Sequence, residues 1–554
     1  MRARIDRLPP PEAEALRLAA VVGPTFAKRV LAHMAGDALP LDRTLEGLRD
    51  AELIDHLSPI GEPDSIFGFK HAITRDVAYD TLLLQQRRTL HALAGAAIEH
   101  VYSDPRLADH YEPLVEHFAQ ADDLERASHY AELAGDRAAT TYVLAHAIRQ
   151  YRRAIDLLEQ LPQTAENVER RVTVCVKWGP FVVYDAEPAQ VDVLRRTYEE
   201  ALAAGNHAGA ARCVYWMGWL EHAMGNHTQA IAYFESTRAL AEPLGDERVV
   251  APLLANLGQE HYHEADHQRA IRYLSGAITR RQQTPRRGPD VMVANSLGYL
   301  ALCDAERGDF TEAFARIERA LEMVRAAGAR QVESTLLTIL AWVHLFQGSW
   351  DGCLKTAAPL REIADALGST YVLGMAMAVE GYARCMRDAD PQGLEILRDA
   401  IRGLEARHMR MALSQVYGCL AEATALAGNC EESAAMARQA IARSEVGDSV
   451  GEAQARRALG LARACHGDTD GALAEFEGAI AFARAGNRVR EEAVSTFRLA
   501  EVLVGAGRRD AGVVMLAEVA ERFERLDMPW YASQASRVAS TPDAHDGPRS
   551  GSQR

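Results

Sequence analysis

Residues 472–479 read Ala-Leu-Ala-Glu-Phe-Glu-Gly-Ala, and the pattern in this stretch recurs along most of the chain. A small residue stands first, an apolar residue follows four positions later, and a further, usually small, residue follows three positions after that. These three positions lie on one face of a helix, where small side chains let a second helix approach closely. Eight triplets follow one another at steps of 39 to 43 residues: Ala230/Phe234/Thr237, Ala270/Leu274/Ala277, Ala313/Ile317/Ala320, Cys353/Ala357/Leu360, Gly393/Leu397/Ala400, Ser433/Ala437/Ala440, Ala472/Phe476/Ala479 and Gly512/Leu516/Val519.

A second helix precedes each triplet, and it also carries a small residue at one equivalent place. These residues are Gly218, Gly258, Ala301, Ala341, Gly381, Ala421, Gly460 and Ala500. Glycines favoured at helix C-termini stand between the two helices: Gly225, Gly308, Gly348, Gly428, Gly467 and Gly507. Each unit is therefore predicted to be a helical hairpin that buries its apolar face only by stacking on its neighbours. The pattern resembles a long form of the tetratricopeptide repeat.

The first hundred residues follow a different pattern. Three short amphipathic helices are predicted at 12–23, 26–36 and 41–57, and a Pro- and Gly-bearing loop follows at 58–65. Residues 66–70 alternate as a strand does, and helices return at 72–84 and 87–101. Three helices followed by a strand hairpin favour a winged helix.

The predicted fold is all-α, with an N-terminal winged-helix-like domain followed by a right-handed α-solenoid of tetratricopeptide-like helical hairpins. The expected divisions are a winged-helix-like domain at 1–102, connecting helices and degenerate repeats at 103–206, the repeat array at 207–526, a capping helix at 527–540 and a disordered tail at 541–554.

Three stretches of the N-terminal region resemble a known family. They are residues 4–9, RIDRLP, residues 19–26, AAVVGPTF, and residues 69–79, FKHAITRDVAY, with Leu90 and His91 after them. Together they look like the end of the ATPase module in bacterial STAND/AAA-type regulators. Such regulators join a class III adenylate/guanylate cyclase, or a LuxR-type DNA-binding domain, to an ATPase and a tetratricopeptide array. The resemblance implies that residues 1–102 are the winged helix of a STAND ATPase.

The chain lacks the catalytic signatures of these relatives. A GxxxxGK[ST] phosphate loop, a cyclase-like domain and a basic C-terminal helix-turn-helix are all missing. We therefore expect a non-enzymatic regulatory module without a cofactor, which binds a protein or a small-molecule effector. The alternative is the C-terminal regulatory fragment of an ATP-dependent cyclase or of a LuxR-type regulator, in which case an upstream ATPase or cyclase polypeptide is a candidate partner. A split gene product, a misplaced start and a fragment all remain open.

The composition limits the kinds of partner and the cellular compartment that we expect for this protein. The chain has 554 residues, and its net charge of −16 disfavours a nucleic-acid surface. It lacks a long apolar run and a hydrophobic signal core, so neither a membrane span nor export is expected. The eight cysteines form no CxxC pair, and most stand at small-residue positions of the helices. They are expected to be reduced packing residues of a cytoplasmic protein.

Two histidine motifs are candidates for chemistry. His263-Glu264-Ala265-Asp266-His267 has the HExxH form of a zinc peptidase, but the repeat register places it across a turn, where its histidines would not share a helix face. A solvated turn without metal or catalysis is expected, although a local histidine cluster with His227 and His261 is an alternative. His71 follows the predicted strand. The family resemblance implies that it senses a nucleotide phosphate, whereas a capping or packing role is the alternative.

The repeat register also predicts a partner-binding groove. The first helix of each hairpin is expected to line a continuous concave surface that collects much of the chain's aromatic content, 6% in all. Aromatic residues and arginine are favoured interface anchors. The predicted groove residues are Arg212, Tyr215, Trp219, Tyr262, Trp342, Phe346, Tyr382 and Arg457, with His222, His263, Asn295, Met375, Gln415, Glu422 and Phe497 at equivalent places. The alternative is that half of these pack between repeats.

Overall fold

The fold is known from a computed structural model, which describes residues 2–58, 65–103, 105–141, 143–183, 186–244, 247–283 and 290–541. The predicted tail at 541–554 lies outside the described residues apart from Thr541, as does most of the predicted loop at 58–65. The chain forms two compact units, one of residues 1–182 with 196–209, the other of residues 183–195 with 210–554. Within the described residues, no helix combines the length and the apolar character needed to cross a membrane.

The first unit begins with short helices around a small sheet. Its elements up to the sheet are α1 (Arg2–Ile5), α2 (Pro10–Val22), β1 (Thr25–Ala27), α3 (Lys28–Ala35), α4 (Leu41–Asp50), β2 (Ile54–His56) and β3 (Ile66–Phe69). The sheet has the order β1-β3-β2, and both pairs are antiparallel. The helices after it are α5 (Ala72–Asp80), α6 (Leu84–Val101), α7 (Tyr111–Gln120), α8 (Leu124–Thr140), α9 (Leu144–Leu158) and α10 (Ala165–Val182).

The predicted strand at 66–70 is confirmed. The helix predicted at 41–57 is shorter in the structure, where it ends at Asp50. Glu52 adopts a left-handed φ of 52°, which ends the helical run, and residues 54–56 then pair with β3. The sequence does not predict the strand β1, because its three residues are too few to show an alternating pattern. Three helices with a three-stranded sheet are the parts that a winged helix requires, and that identification stays a prediction.

The helix α11 (Pro188–Ala203) is divided between the two units, and the second unit continues as paired helices. The hairpins are α12 (His207–Ala223) with α13 (His227–Ala241), α14 (Glu247–His263) with α15 (His267–Gln283), α16 (Val291–Arg307) with α17 (Phe310–Ala326), α18 (Arg330–Gln347) with α19 (Trp350–Leu367), α20 (Thr370–Asp388) with α21 (Gln392–Ala406), α22 (Leu413–Leu426) with α23 (Cys430–Ala442), α24 (Glu452–Cys465) with α25 (Thr469–Ala485), and α26 (Val489–Gly505) with α27 (Arg509–Arg525). The helix α28 (Pro529–Ser540) follows the last hairpin.

The hairpin register of the sequence pattern is confirmed, and the second unit is an all-α array of stacked hairpins. Each triplet lies buried on the second helix of its hairpin. A Cβ added at Gly218 would stand 2.6 Å from the Phe234 ring, and one at Gly258 would stand 2.6 Å from Leu274. The middle residue of the triplet therefore fills the space that the small residue of the first helix leaves open. The predicted turn glycines all have positive φ, between 71° and 87°.

The prediction that all cysteines are reduced is wrong for one pair. Cys430 and Cys465 form a disulfide, with their Cα atoms 6.5 Å apart. Cys430 begins α23 and Cys465 ends α24, and the two helices pack side by side. The antiparallel path brings the start of one helix beside the end of the next, although 35 residues separate the two cysteines. The other six cysteines form no disulfide.

Candidate functional site

A cavity of about 580 Å³ lies within the second unit, and it is the candidate site. Its walls come mainly from the first helices of successive hairpins, α12, α14, α16, α18, α20 and α22, as the repeat register predicts for the concave side. Side chains on its wall include Tyr215, Trp219, His222, Asn256, Tyr262, His263, Asn295, Tyr299, Thr338, Trp342, Tyr371, Met375, Met409 and Gln415.

One wall is held by a hydrogen-bonded group of aromatic side chains. With the amide of Asn256 oriented to satisfy both of its ends, its oxygen accepts from Trp219 Nε1 and from the Tyr215 hydroxyl, at 3.2 Å each. Its nitrogen then donates to the carbonyl oxygen of Pro252, also at 3.2 Å. Both rings are half-buried. These bonds hold two aromatic rings at the border of the cavity, which suits a planar ligand.

The cavity is poor in charge. Among the described residues that line it, none is acidic, and Arg407 is the one residue with a permanent charge. Burial, reinforced by His227 and His222, lowers the pKa of His263 well below its usual value, so this ring is neutral at pH 7. Burial also raises the pKa of Tyr299 well above the ordinary range, which keeps its hydroxyl protonated. A neutral ligand, or one with a single negative charge near Arg407, suits this lining.

Later hairpins pack onto earlier ones beside the expected groove. The backbone N–H of Ser449 donates to the carbonyl oxygen of His263 at 2.8 Å. Arg443 Nη2 donates to the carbonyl oxygen of Gly225 at 2.9 Å, across 218 positions of sequence. Trp342 is only 5% exposed. A cavity that is partly open to solvent lies on the side where the concave surface is expected.

Buried ion pairs also join hairpins that are far apart in the sequence. Glu306 on α16 accepts from Arg488 Nη2 at 2.8 Å and from Arg490 Nη2 at 2.9 Å, some 180 residues later. Arg457 donates through Nη2 to Glu422 Oε2 at 2.9 Å and also contacts Glu491. We call Glu306, Glu422, Arg457, Arg488, Arg490, Glu491 and Arg498 the buried charge network. Burial raises the pKa of Glu422, but Arg457 outweighs it and holds this pKa below its usual value.

The predicted groove residues divide into two groups. Tyr215, Trp219, Tyr262 and Trp342 line the cavity, as do the further predicted residues His222, His263, Asn295, Met375 and Gln415. The remaining predicted positions lie outside its lining: Arg212, Phe346, Tyr382, Glu422, Arg457 and Phe497.

Phe346, Tyr382 and Arg457 are all buried. The guanidinium of Arg490 lies 4.4 Å from the Phe346 ring centre, and the Tyr382 hydroxyl donates to Glu422 Oε2 at 2.7 Å. These three residues therefore pack inside the protein, as the alternative to a groove position expects. The sequence pattern does not pick out the lining residues Asn256, Tyr299 and Thr338. Tyr299 and Thr338 each stand four positions from a predicted residue on the same helix face, whereas Asn256 stands seven positions before the predicted residue His263.

The two histidine motifs are both placed on element boundaries. The helix α14 ends at His263, α15 begins at His267, and Ala265 between them has a left-handed φ of 62°. The predicted turn within the HExxH motif is confirmed, but its solvation is wrong, since both histidines are buried. His71 is exposed at the start of α5, directly after β3, and its sensor role stays a prediction.

Comparisons with known proteins give no family. No family model matches the chain. An uncharacterised protein of Rhizobium meliloti (strain 1021) is 21% identical over 444 residues, which cover 76% of this chain and 42% of that protein. The chain thus spans less than half the length of this relative.

Solved structures with some likeness include helical proteins of several kinds. A Rap protein complexed with Competence and Sporulation Factor is 12% identical, with a TM-score of 0.42, over 67% of this chain and 97% of that chain. A STAND protein with a tetratricopeptide repeat sensor, from Pyrococcus horikoshii, is 12% identical, with a TM-score of 0.37, over 87% and 64%. The Cut9-Hcn1 hetero-tetramer gives 10% identity and a TM-score of 0.45, over 85% and 92%.

Proposed function

We propose that the repeat array is the sensing part of a regulatory protein and that it binds one small, largely apolar effector in its cavity. The observation that carries this proposal is the cavity of about 580 Å³ with an aromatic wall and no acidic residue among its described lining. Cavities of roughly 300–1,000 Å³ with a few placed polar groups are typical sites for small molecules. The effector is expected to be planar, and neutral or singly negative.

A protein partner fits this site less well. A stable protein interface buries about 1,200–2,000 Å² of accessible surface, and the anchors must be reachable from outside. Here Tyr262 and Trp342 are 3% and 5% exposed, and they border the cavity. A small molecule can enter and contact both rings, whereas a folded partner cannot.

The resemblance of the N-terminal stretches to STAND-type regulators supports a role in signalling. In that setting the array would report effector binding to an ATPase or cyclase module. An effector that binds one of two regulatory states more tightly than the other shifts the population toward the state that it prefers. The chain itself is proposed to be non-enzymatic.

The test uses the fluorescent probe 1-anilinonaphthalene-8-sulfonate, which is planar, largely apolar and singly negative. We expect one probe to bind per chain, with energy transfer from Trp219 or Trp342. Thr335→Trp places a bulky ring at the half-buried lining position of Thr335 and should abolish binding. The matched control is Thr279→Trp, at an exposed position of α15. Equal binding by both variants, with unchanged near-ultraviolet dichroism, would exclude the cavity as the site.

A further inference from the structure

A buried cluster of two histidines and a carboxylate lies beside the cavity. His222 near the end of α12, His227 at the start of α13 and Glu260 in α14 come from two successive hairpins. His222 Nδ1 lies 2.6 Å from Glu260 Oε1, and His227 Nδ1 lies 2.7 Å from Glu260 Oε2. The three side chains are 7%, 0% and 1% exposed. One ligand atom from each lies within 4.8 Å of the other two.

The histidines around this carboxylate are short of hydrogen-bond partners. The close approach of His222 Nδ1 to Glu260 lacks the geometry of a hydrogen bond, and His227 Nε2 is buried without a partner. His263 stacks on His227 with ring centres 4.4 Å apart, and both of its buried ring nitrogens also lack partners. A buried polar atom without a hydrogen-bond partner is energetically unfavourable. Several such atoms at one place are suited to bind a ligand.

We propose that His222, His227 and Glu260 bind one first-row divalent cation, with Zn²⁺ the best fit. Two imidazoles and one carboxylate are ligands that Zn²⁺ accepts in a tetrahedral site. Three protein ligands leave the fourth position for water or another small ligand. His222 and His263 line the cavity, so this open position adjoins the space where the effector is proposed to bind.

The buried carboxylate of the cluster also fits a cation. Glu260 is 1% exposed, and a carboxylate buried to this degree needs a positively charged or hydrogen-bonding partner. A bound cation is such a partner, and the metal content of the purified protein shows whether one is present.

This ligand set is distinct from the HExxH motif. His267, the second histidine of that motif, stacks on Tyr262 with ring centres 5.3 Å apart, and the charges that act on it most strongly are Arg488 and Glu306 of the buried charge network. His263 lies next to the proposed ion, against His227, but it is not one of the proposed ligands. The proposal therefore includes no peptidase chemistry.

The test is a titration of untagged, full-length protein with Co²⁺ after removal of metals by a chelator, followed by competition with Zn²⁺. We expect one saturable site, visible absorption of bound Co²⁺, and submicromolar affinity for Zn²⁺. Glu260→Gln, which keeps the shape of the side chain, should weaken binding by at least about 100-fold, more than a change outside the ligand shell. His129→Ala, at an exposed position of α8, should leave the affinity unchanged.

X-ray absorption at the zinc edge of the wild-type protein gives a second readout that needs no variant. Two imidazoles among nitrogen and oxygen ligands are expected. Absence of saturable binding by the wild type, equal affinity of folded Glu260→Gln, or a zinc spectrum without imidazole scattering would overturn the proposal. The anilinonaphthalene probe does not depend on the metal, so its binding separates failure of the metal site from failure of the proposed effector site.

Discussion

At the scale of residues, close approach between helices decides where glycine is needed. Gly381 on α20 faces Gly393 on α21, and a Cβ added at Gly381 would stand 2.7 Å from the Gly393 carbonyl oxygen. A backbone oxygen cannot move aside as a flexible side chain can. Gly403, on the same hairpin, has nothing within 4 Å of an added Cβ. Substitution of these two glycines by alanine therefore distinguishes the effect of helix packing on stability from the effect of helix propensity.

We predict that Gly381→Ala lowers the free energy of unfolding by about 1–3 kcal/mol, because the hairpin must open to admit the methyl group. Gly403→Ala should raise it by roughly 0.5–1 kcal/mol, because alanine favours the helix and meets no neighbour. Urea denaturation followed by circular dichroism measures both. A Gly381→Ala protein as stable as the wild type would contradict the close contact.

A buried histidine pair makes the first unit sensitive to mild acid. His91 Nδ1 lies 2.9 Å from His117 Nδ1, and the Tyr79 hydroxyl lies 2.9 Å from His91 Nε2. Burial, assisted by Arg75 and Arg87, lowers the pKa of His91 to about 4. Burial, assisted by His91, lowers the pKa of His117 to about 4.

Because the folded pKa values lie below the unfolded value of about 6.5, the unfolded chain binds more protons between these limits. The stability from neutral burial is therefore complete above about pH 6.5 and declines as the pH falls toward 4. Urea midpoints measured from pH 7.5 to 4.5 should show this decline for the wild type. His117→Gln should show a shallower decline, and an equal slope would contradict the neutral pair.

At the scale of elements, the hairpins were predictable because their signal is local. The triplets and the turn glycines repeat at about 40 residues, so each hairpin confirms the register of the next. Part of the cavity wall followed from the same register, as Trp219 and Trp342 illustrate, whereas the lining residues Asn256, Tyr299 and Thr338 did not. The buried charge network was not predictable. An arginine on an amphipathic helix is typical of a solvated face, and the partners of Glu306 are some 180 residues away.

We predict that Arg457→Met destabilises the protein by about 3–5 kcal/mol, because it leaves Glu422 and Glu491 buried without this partner. Arg402→Met is the matched control, since Arg402 pairs with Asp399 on an exposed helix face. That change should cost less than about 1 kcal/mol. Equal losses for the two variants in urea denaturation would contradict the account of the network.

At the scale of the whole molecule, the sequence predicts an array but not how far its concave side is filled. Contacts such as Arg443 with Gly225 join hairpins that are distant in sequence, and no local pattern encodes them. They bring later hairpins against earlier ones beside the cavity of the second unit. This packing favours a small molecule over a folded protein as the proposed ligand.

Hydrogen–deuterium exchange with and without 1-anilinonaphthalene-8-sulfonate tests this central claim most directly. We predict slower exchange in α12, α14, α16, α18 and α20, which supply most of the cavity wall, and no change in α25 or α27. Thr335→Trp should remove the protection. Protection confined to the first unit, or protection in the second unit that persists in the Thr335→Trp protein, would contradict an effector site in the cavity.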